Sequence, residues 1–254
     1  MRQPTNRFKQ ALRERQQIGL WSTLGGPVLS ELFSGCGFDW ILLDTEHSPN
    51  ETTDVVAQLQ AIGDRTSVVV RPAWSDMVLV KRLMDCGAQS LLLPAIDDAT
   101  AAAAAVSYTR YPPEGVRGVS GASRSGFYGL DTGYLARANS ETCVLLQIET
   151  AAGLRNLDAI ATTPGVDGVF IGPADLAAAL GHLGNQSHPE VQAAIDGAFR
   201  RLRELGVPAG YLTNNEDEAR RRLNDGLAFV AIGTDTAVVI KGAQGLLSRV
   251  TGAG

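Results

Sequence analysis

Eight short apolar runs, separated by helix-length amphipathic stretches, are the feature that most constrains this chain of 254 residues. The runs are continuously apolar and rich in β-branched residues, which is typical of parallel strands covered on both faces. Strands and helices that alternate over a whole chain predict a parallel sheet, and eight units favour a closed (β/α)₈ barrel over an open sheet. The predicted strands are Ile18–Trp21, Trp40–Leu43, Ser67–Val70, Ser90–Leu93, Cys143–Ile148, Gly168–Ile171, Pro208–Tyr211 and Phe229–Ile232.

Most segments between these strands are predicted to be helices, and one is not. Tyr111–Tyr134 is rich in Gly, Ser and Arg and is predicted to be a long loop with a functional or interface role. No linker or repeat divides the chain, so residues 1–254 are expected to form a single barrel domain. The predicted helices are Asn50–Ile62, Asp76–Cys86, Asp97–Ser107, Gly153–Ala161, Ala174–Leu180, Pro189–Leu205, Glu216–Asn224 and Ala237–Val250.

The charge and cysteine content exclude several classes of protein. A net charge of −5 gives no electrostatic reason to expect nucleic acid or an anionic membrane as a partner. Cys36, Cys86 and Cys143 are scattered without CxxC spacing, which indicates reduced thiols and argues against a disulfide framework or a thiolate zinc site. The polar N-terminus has no signal-peptide core, and we expect a soluble, cytoplasmic protein.

The polar residues that follow the predicted strands identify the candidate site, because chemistry in such barrels lies at the carboxyl ends of the strands. Two or more carboxylates, a histidine and an arginine collect at this rim. The residues at successive strand ends are Trp21, then Asp44, Glu46 and His47, then Arg71, then Glu149, then Gly172, Pro173, Ala174 and Asp175, and then Leu212.

Glu149 and Asp175 are the candidate metal ligands. They follow adjacent strands, and two carboxylates without cysteine or several histidines favour a hard cation such as Mg²⁺ or Mn²⁺, with Co²⁺ or Zn²⁺ also compatible. The alternative is structural: Glu149 caps a turn, and Asp175 lies in the first turn of a helix, where acids are common.

The tetrad Gly172-Pro173-Ala174-Asp175 opens a helix directly after a strand. Its unpaired backbone N–H groups could receive a substrate carboxylate at Ala174 and Asp175, and Gly172 would let that backbone approach closely. An ordinary turn between strand and helix is the alternative interpretation.

His47 and Arg71 are the candidate catalytic side chains. A histidine beside Asp44 and Glu46 can act as a general base near neutral pH, although a structural, hydrogen-bonded histidine would have the same surroundings. Arg71 could stabilise a developing oxyanion, pair with Asp44, or do both.

The positions of the lysines separate two aldolase chemistries. A Schiff-base mechanism needs a lysine in the barrel mouth. Lys9 falls in a predicted N-terminal helix, Lys81 in Asp76–Cys86 and Lys241 in Ala237–Val250, and none of them follows a strand. An aldolase built on this sequence would therefore use a metal ion as its electron sink.

Six stretches carry a resemblance to a known family. They are Phe38–Pro49, Val69–Pro72, Met84–Gln89, Tyr111–Gly118, Leu146–Glu149 and Val166–Leu183. In this order they resemble the metal-dependent (class II) 4-hydroxy-2-oxoheptanedioate and 2-keto-3-deoxy sugar acid aldolases, the HpcH/HpaI aldolase family.

The resemblance implies a (β/α)₈ barrel that assembles as a homohexamer, a trimer of dimers with the eighth helix exchanged. It also implies metal ligation by Glu149 and Asp175, and reversible cleavage of 4-hydroxy-2-oxo acids to pyruvate and an aldehyde through a metal-stabilised enolate. Gln147 would contact the substrate, and Asp85 would raise the basicity of His47. Substrate contacts are also expected from Trp21 and Leu212. The alternatives are a metal-dependent decarboxylase or lyase using the same enolate, and a non-catalytic barrel that binds an acidic metabolite.

Overall fold

The eight predicted strands form one closed parallel barrel in chain order in the computed structural model, which describes residues 5–252. Each strand pairs in parallel with the next, and the eighth pairs with the first, which confirms the predicted fold class. Residues 1–4 and 253–254 of the predicted domain lie outside the described residues. The strands are β1 Gln17–Ser22, β2 Trp40–Asp44, β3 Ser67–Arg71, β4 Ser90–Leu93, β5 Cys143–Ile148, β6 Gly168–Ile171, β7 Ala209–Leu212 and β8 Phe229–Thr234.

Side chains that alternate along each strand build two cores. One set, which includes Ile41, Leu43 and Val70, packs between the barrel and the helices. The other set fills the barrel interior, where Trp40 and Phe229 are almost fully buried. A filled interior means that the barrel has no pore, so any ligand must bind at the strand ends.

The helices agree with the prediction except in three places. Gly153–Ala161 is divided at Asn156 into two short helices, and two further helices, Pro27–Ser34 and Tyr134–Glu141, were not predicted. The predicted loop Tyr111–Tyr134 also contains a 3₁₀ segment, Arg124–Gly129. The helices are α1 Arg7–Ala11, α2 Pro27–Ser34, α3 Thr52–Ile62, α4 Met77–Asp85, α5 Ala99–Thr109, α6 Tyr134–Glu141, α7 Ala151–Arg155, α8 Leu157–Ala161, α9 Pro173–Ala179, α10 Pro189–Glu204, α11 Glu216–Asn224 and α12 Asp235–Thr251.

The last helix, α12, leaves much of its apolar surface exposed. Val238, Val239, Ile240 and Leu247 are each about half exposed or more, and Asp235 is its one fully buried residue. Among the described residues, no helix is long and apolar enough to span a membrane.

Candidate active site

One cavity of about 1290 Å³ opens at the carboxyl ends of the strands, where the sequence predicted the site. Its position follows from the topology, because parallel strands direct all their following loops to one face. Glu149 and Glu46 do not line the cavity themselves but contact Gln147 and Arg71, which do. The predicted site residues that line this cavity are Trp21, Asp44, His47, Arg71, Gln147, Gly172, Pro173, Ala174, Asp175 and Leu212.

Glu149 follows β5 and is held from two sides. Its Oε1 accepts a hydrogen bond from the backbone N–H of Ala95 at 2.9 Å, and its Oε2 contacts the side-chain amide of Gln147. Burial raises the pKa of Glu149 above its usual value, and the nearby charges of Glu46 and Asp175 raise it further, against the hydrogen bonds from Ala95 and Gln147. A buried carboxylate close to two others is a position that a cation would stabilise.

Two further side chains in this region, those of Gln147 and Asp175, have oxygens without a hydrogen-bond or ion-pair partner among residues 5–252. Gln147 is 2% exposed, and its Oε1 accepts no hydrogen bond from the described residues. The carboxylate of Asp175 is exposed to the cavity, and none of the described side chains pairs with it. Since buried amide oxygens are usually satisfied, the oxygens of Glu149, Gln147 and Asp175 fit a hard divalent cation.

Gly172 leaves the space in front of this cluster open. A Cβ at position 172 would lie 2.8 Å from Oε2 of Glu149 and 3.0 Å from Nε2 of Gln147. Any side chain here would therefore displace one of the two groups. Gly172 is also the residue that precedes α9, where the first-turn N–H groups of Ala174 and Asp175 have no helical acceptor and can receive a carboxylate.

We expect Gly172→Ala to weaken the site without unfolding the barrel. The added methyl group overlaps Glu149 and Gln147, so we expect the apparent affinity for both divalent cation and pyruvate to fall at least about tenfold. Cation titration and pyruvate KM measure this. Gly197→Ala is the matched control, because Gly197 lies in helix α10 and a methyl group added there would point into open space. An unchanged affinity in Gly172→Ala would contradict the assignment.

Arg71 lies between two carboxylates. Its guanidinium donates to both oxygens of Asp44, at 2.9 and 2.5 Å, and Nη1 lies 2.6 Å from Oε2 of Glu46. It also stacks 4.7 Å from the ring of Trp21, whose Nε1–H donates to Asp44. The pairing of Arg71 with Asp44, one of the roles predicted for Arg71, is therefore present. It fixes the orientation of the guanidinium at the cavity wall.

The two acids beside Arg71 differ in their response to burial. Burial would raise the pKa of Asp44, but the hydrogen bonds and charge of Arg71 outweigh it and hold the pKa below its usual value. For Glu46, burial outweighs Arg71, and the charges of Asp44 and Asp175 add to it, so the pKa is raised. Asp44 is therefore the stable anion that orients Arg71, whereas the charged form of Glu46 is disfavoured by burial and by the negative charges of Asp44 and Asp175.

His47 is the exposed member of the group. Its side chain is 67% exposed, and Nε2 lies 4.0 Å from Oε1 of Glu46. It lines the cavity and is free to reach a bound molecule, as a proton-transfer group must. The other two histidines, His182 and His188, stack on each other outside the cavity lining.

Asp85 is not brought to His47 within this chain. It ends α4, where its carboxylate accepts a hydrogen bond from Arg117 at 2.9 Å, and it is not among the residues that line the cavity. Arg117 is buried and lies over the ring of Tyr111. The role that the resemblance implies for Asp85 therefore has no support from contacts inside one chain.

Two groups at the site have no signal in the sequence. Ala95 has a φ of 56°, a strained conformation for a residue with a Cβ, and this conformation accompanies the N–H bond to Glu149. Lys241, which falls in a predicted helix, has a side chain that lines the outer part of the cavity. Ala95 acts through its backbone N–H and Lys241 lies within a helix, so polar side chains at strand ends do not reveal either of them.

Comparison with known proteins covers almost the whole chain. The sequence profile of the HpcH/HpaI aldolase/citrate lyase family matches residues 17–242. A hydroxypyruvate/pyruvate aldolase of Pseudomonas aeruginosa is 50% identical over 252 residues, covering 98% of this chain and 94% of that protein. A 4-hydroxy-2-oxo-heptane-1,7-dioate aldolase of Klebsiella pneumoniae is also 50% identical, over 249 residues, covering 97% of this chain and 94% of its own.

A solved structure has the same architecture. An HpcH/HpaI aldolase/citrate lyase family protein from Burkholderia cenocepacia superposes with a TM-score of 0.95 at 38% identity, covering 97% of this chain and 100% of that one.

Proposed function

We propose a reaction and a set of residue roles for this chain, which belongs to the HpcH/HpaI aldolase/citrate lyase family. The chain is a carbon–carbon lyase, a pyruvate aldolase that cleaves 4-hydroxy-2-oxo acids to pyruvate and an aldehyde. The observation that carries the assignment of roles is the group of oxygen donors at Glu149, Gln147 and Asp175 beside the fixed guanidinium of Arg71.

Glu149 and Asp175 would hold a divalent cation, Mg²⁺ or Mn²⁺ in our proposal. Such an ion supplies Lewis-acid polarisation of the 2-oxo group. The two carboxylates and the unpaired amide oxygen of Gln147 are oxygen ligands, and this donor set, with the burial and negative charge that raise the pKa of Glu149, supports the assignment.

The chain's own residues would then orient and stabilise the substrate. The first-turn amides at Ala174 and Asp175 receive the carboxylate of the 2-oxo acid. Arg71 faces the keto oxygen, on which negative charge develops as the C3–C4 bond breaks, and Asp44 and Trp21 keep the guanidinium in place. Leu212 and Trp21 line the wall beside the aldehyde half.

His47 is the proposed base in the cleavage direction. It removes the proton of the C4 hydroxyl, the electron pair of the C3–C4 bond passes to the 2-oxo group, and the aldehyde leaves. Protonation of C3 then gives pyruvate. The exposure of His47 and its place on the cavity wall support this role.

Exchange of pyruvate C3 protons in deuterium oxide tests the proposal without an aldehyde. We expect exchange that requires an added divalent cation and stops with excess chelator, because the developing charge needs the cation at Glu149 and Asp175. Proton NMR of the methyl signal measures it. Exchange at the same rate in excess chelator would overturn the metal mechanism, and its absence under all conditions would favour a barrel that only binds acids.

We also propose that α12 packs against another copy of the chain, in a homohexamer. The exposed apolar residues Val238, Val239, Ile240 and Leu247 support this, because a large apolar patch on a protein surface usually marks a site of contact with another protein. Sedimentation at micromolar concentration tests it, and a monomer there would overturn it.

A further inference from the structure

The cavity extends well beyond what pyruvate fills. At about 1290 Å³ it is larger than most small-molecule sites, which measure roughly 300–1,000 Å³. Its far part lies between the end of β7 and the start of α12. We call this part the outer arm, and its lining comprises Thr213, Asn214, Asn215, Glu216, Asp217, Glu218, Arg221, Thr234 and Lys241.

The acidic side chains of the outer arm are already paired. Glu216 and Asp217 both form salt bridges with Arg220, at 3.2 and 2.7 Å. Glu218 pairs with Arg222 at 3.2 Å and lies 3.8 Å from Arg221. Each of these acids therefore has an arginine of the same helix, α11, as its ion-pair partner, but Arg220 serves two of them, and Arg221 and Arg222 also pair with Asp196.

Lys241 is in a different position. Within residues 5–252, three basic side chains line the cavity. Arg71 and Arg221 each pair with two carboxylates. Lys241 has no carboxylate of the described residues within salt-bridge distance. A lysine that lines a ligand cavity with its charge uncompensated favours an anionic ligand group.

The ammonium of Lys241 is also held in place. Its Nζ donates to the backbone carbonyl of Asn214 at 3.0 Å, and the side chain of Asn214 in turn accepts a hydrogen bond from the N–H of Thr234 at 2.9 Å. One of three ammonium donors is thus used, and the other two remain for a ligand. This contact fixes the charge at the junction of the loop after β7 and the start of α12.

We propose that Lys241 binds a carboxylate at the far end of the aldehyde half, so that the enzyme prefers aldehydes that carry a terminal carboxylate over neutral ones. This inference rests on the proposed aldol reaction, and it assigns the specificity of that site to a residue outside the strand ends. A neutral hydroxylated aldehyde would leave the ammonium with the Asn214 carbonyl and water alone.

A matched pair of aldehydes tests the proposal. In the synthetic direction with pyruvate, succinic semialdehyde has a terminal carboxylate, and its methyl ester, methyl 4-oxobutanoate, has the same carbon chain with a neutral end. For the native enzyme we expect kcat/KM to be about tenfold higher for the carboxylate, because only the carboxylate can make a charge-assisted hydrogen bond with the ammonium of Lys241. Salt should reduce this ratio, because the pair is open to solvent.

Two variants locate the effect. In Lys241→Met the ratio should fall to near one, and in Lys241→Glu it should favour the ester. Lys81→Met removes a lysine outside the cavity lining and should keep the native ratio. Because each ratio is taken within one preparation, partial unfolding lowers both rates and leaves it unchanged.

The outcomes separate the two hypotheses. A native ratio near one, or a ratio that Lys241→Met does not change, would overturn the role of Lys241 while aldol addition itself continued. Failure of both aldehydes to react, together with no C3 exchange in pyruvate, would overturn the proposed reaction.

Discussion

Glu149→Gln is expected to reduce pyruvate release and C3 exchange by about a thousandfold, the upper end of the loss that follows removal of one group on which charge stabilisation depends. The substitution keeps the shape of the side chain and can still accept the N–H of Ala95, but it removes the negative charge that would hold the cation. Steady-state assays with saturating Mg²⁺ or Mn²⁺ measure the loss.

The same variant should fold at least as well as the native protein. Burial and the charges of Glu46 and Asp175 raise the pKa of Glu149, which means that the charged carboxylate costs free energy in the folded state. A neutral amide removes that cost, so the free energy of unfolding without metal should stay equal or rise. Glu114→Gln, in an exposed loop, is the matched control for both measurements. An active Glu149→Gln enzyme would remove Glu149 from the metal site.

The expectation about Glu149 came from the sequence because it depends on topology alone. Once eight apolar runs predict a parallel barrel, the residue after each run must lie at the same rim, and Glu149 and Asp175 follow β5 and β6. The strand prediction succeeded because strands buried on both faces are continuously apolar. The amphipathic pattern of the stretches between the strands identified most helices, with boundaries that differ from the observed ones by at most two residues.

The elements that were missed depend on information that local patterns do not carry. α2 carries a start signal, Pro27 at its first position, but its eight residues are too few to establish a helical period in the sequence. The break at Asn156 occurs inside a stretch whose residues would all fit one helix. A backbone donor such as Ala95 has no side-chain signature at all, and Lys241 reaches the cavity only because α12 starts beside Asn214.

Arg71→Ala is expected to damage both catalysis and stability. Without the guanidinium, charge that develops on the keto oxygen loses its nearest protein cation, and we expect kcat to fall by about 10²–10³-fold. Asp44 is fully buried and would lose both of its charged hydrogen bonds, and removing one partner of a buried pair typically costs about 3–5 kcal/mol. Turnover assays and urea unfolding measure the two effects.

The pH dependence distinguishes the lost ion pair from a simple loss of packing. Arg71 holds the pKa of Asp44 below its usual value, so this pair contributes stability that is complete above the unfolded pKa and is lost as pH falls through the folded pKa. The stability difference between native enzyme and Arg71→Ala should therefore be largest near neutral pH and shrink as the solution becomes more acidic than about pH 4. A difference that is independent of pH would mean that Arg71 acts through packing on Trp21 instead.

A second substitution separates the two roles of Arg71. Adding Asp44→Asn to Arg71→Ala removes the uncompensated buried charge, so most of the lost stability should return, because the neutral amide can still accept the Nε1–H of Trp21. Turnover should stay low, since the amide cannot replace the cation at the keto oxygen. Recovery of both stability and turnover would show that Arg71 serves the fold alone. The charge that develops on the keto oxygen would then be stabilised by the cation at Glu149 and Asp175 and not by Arg71.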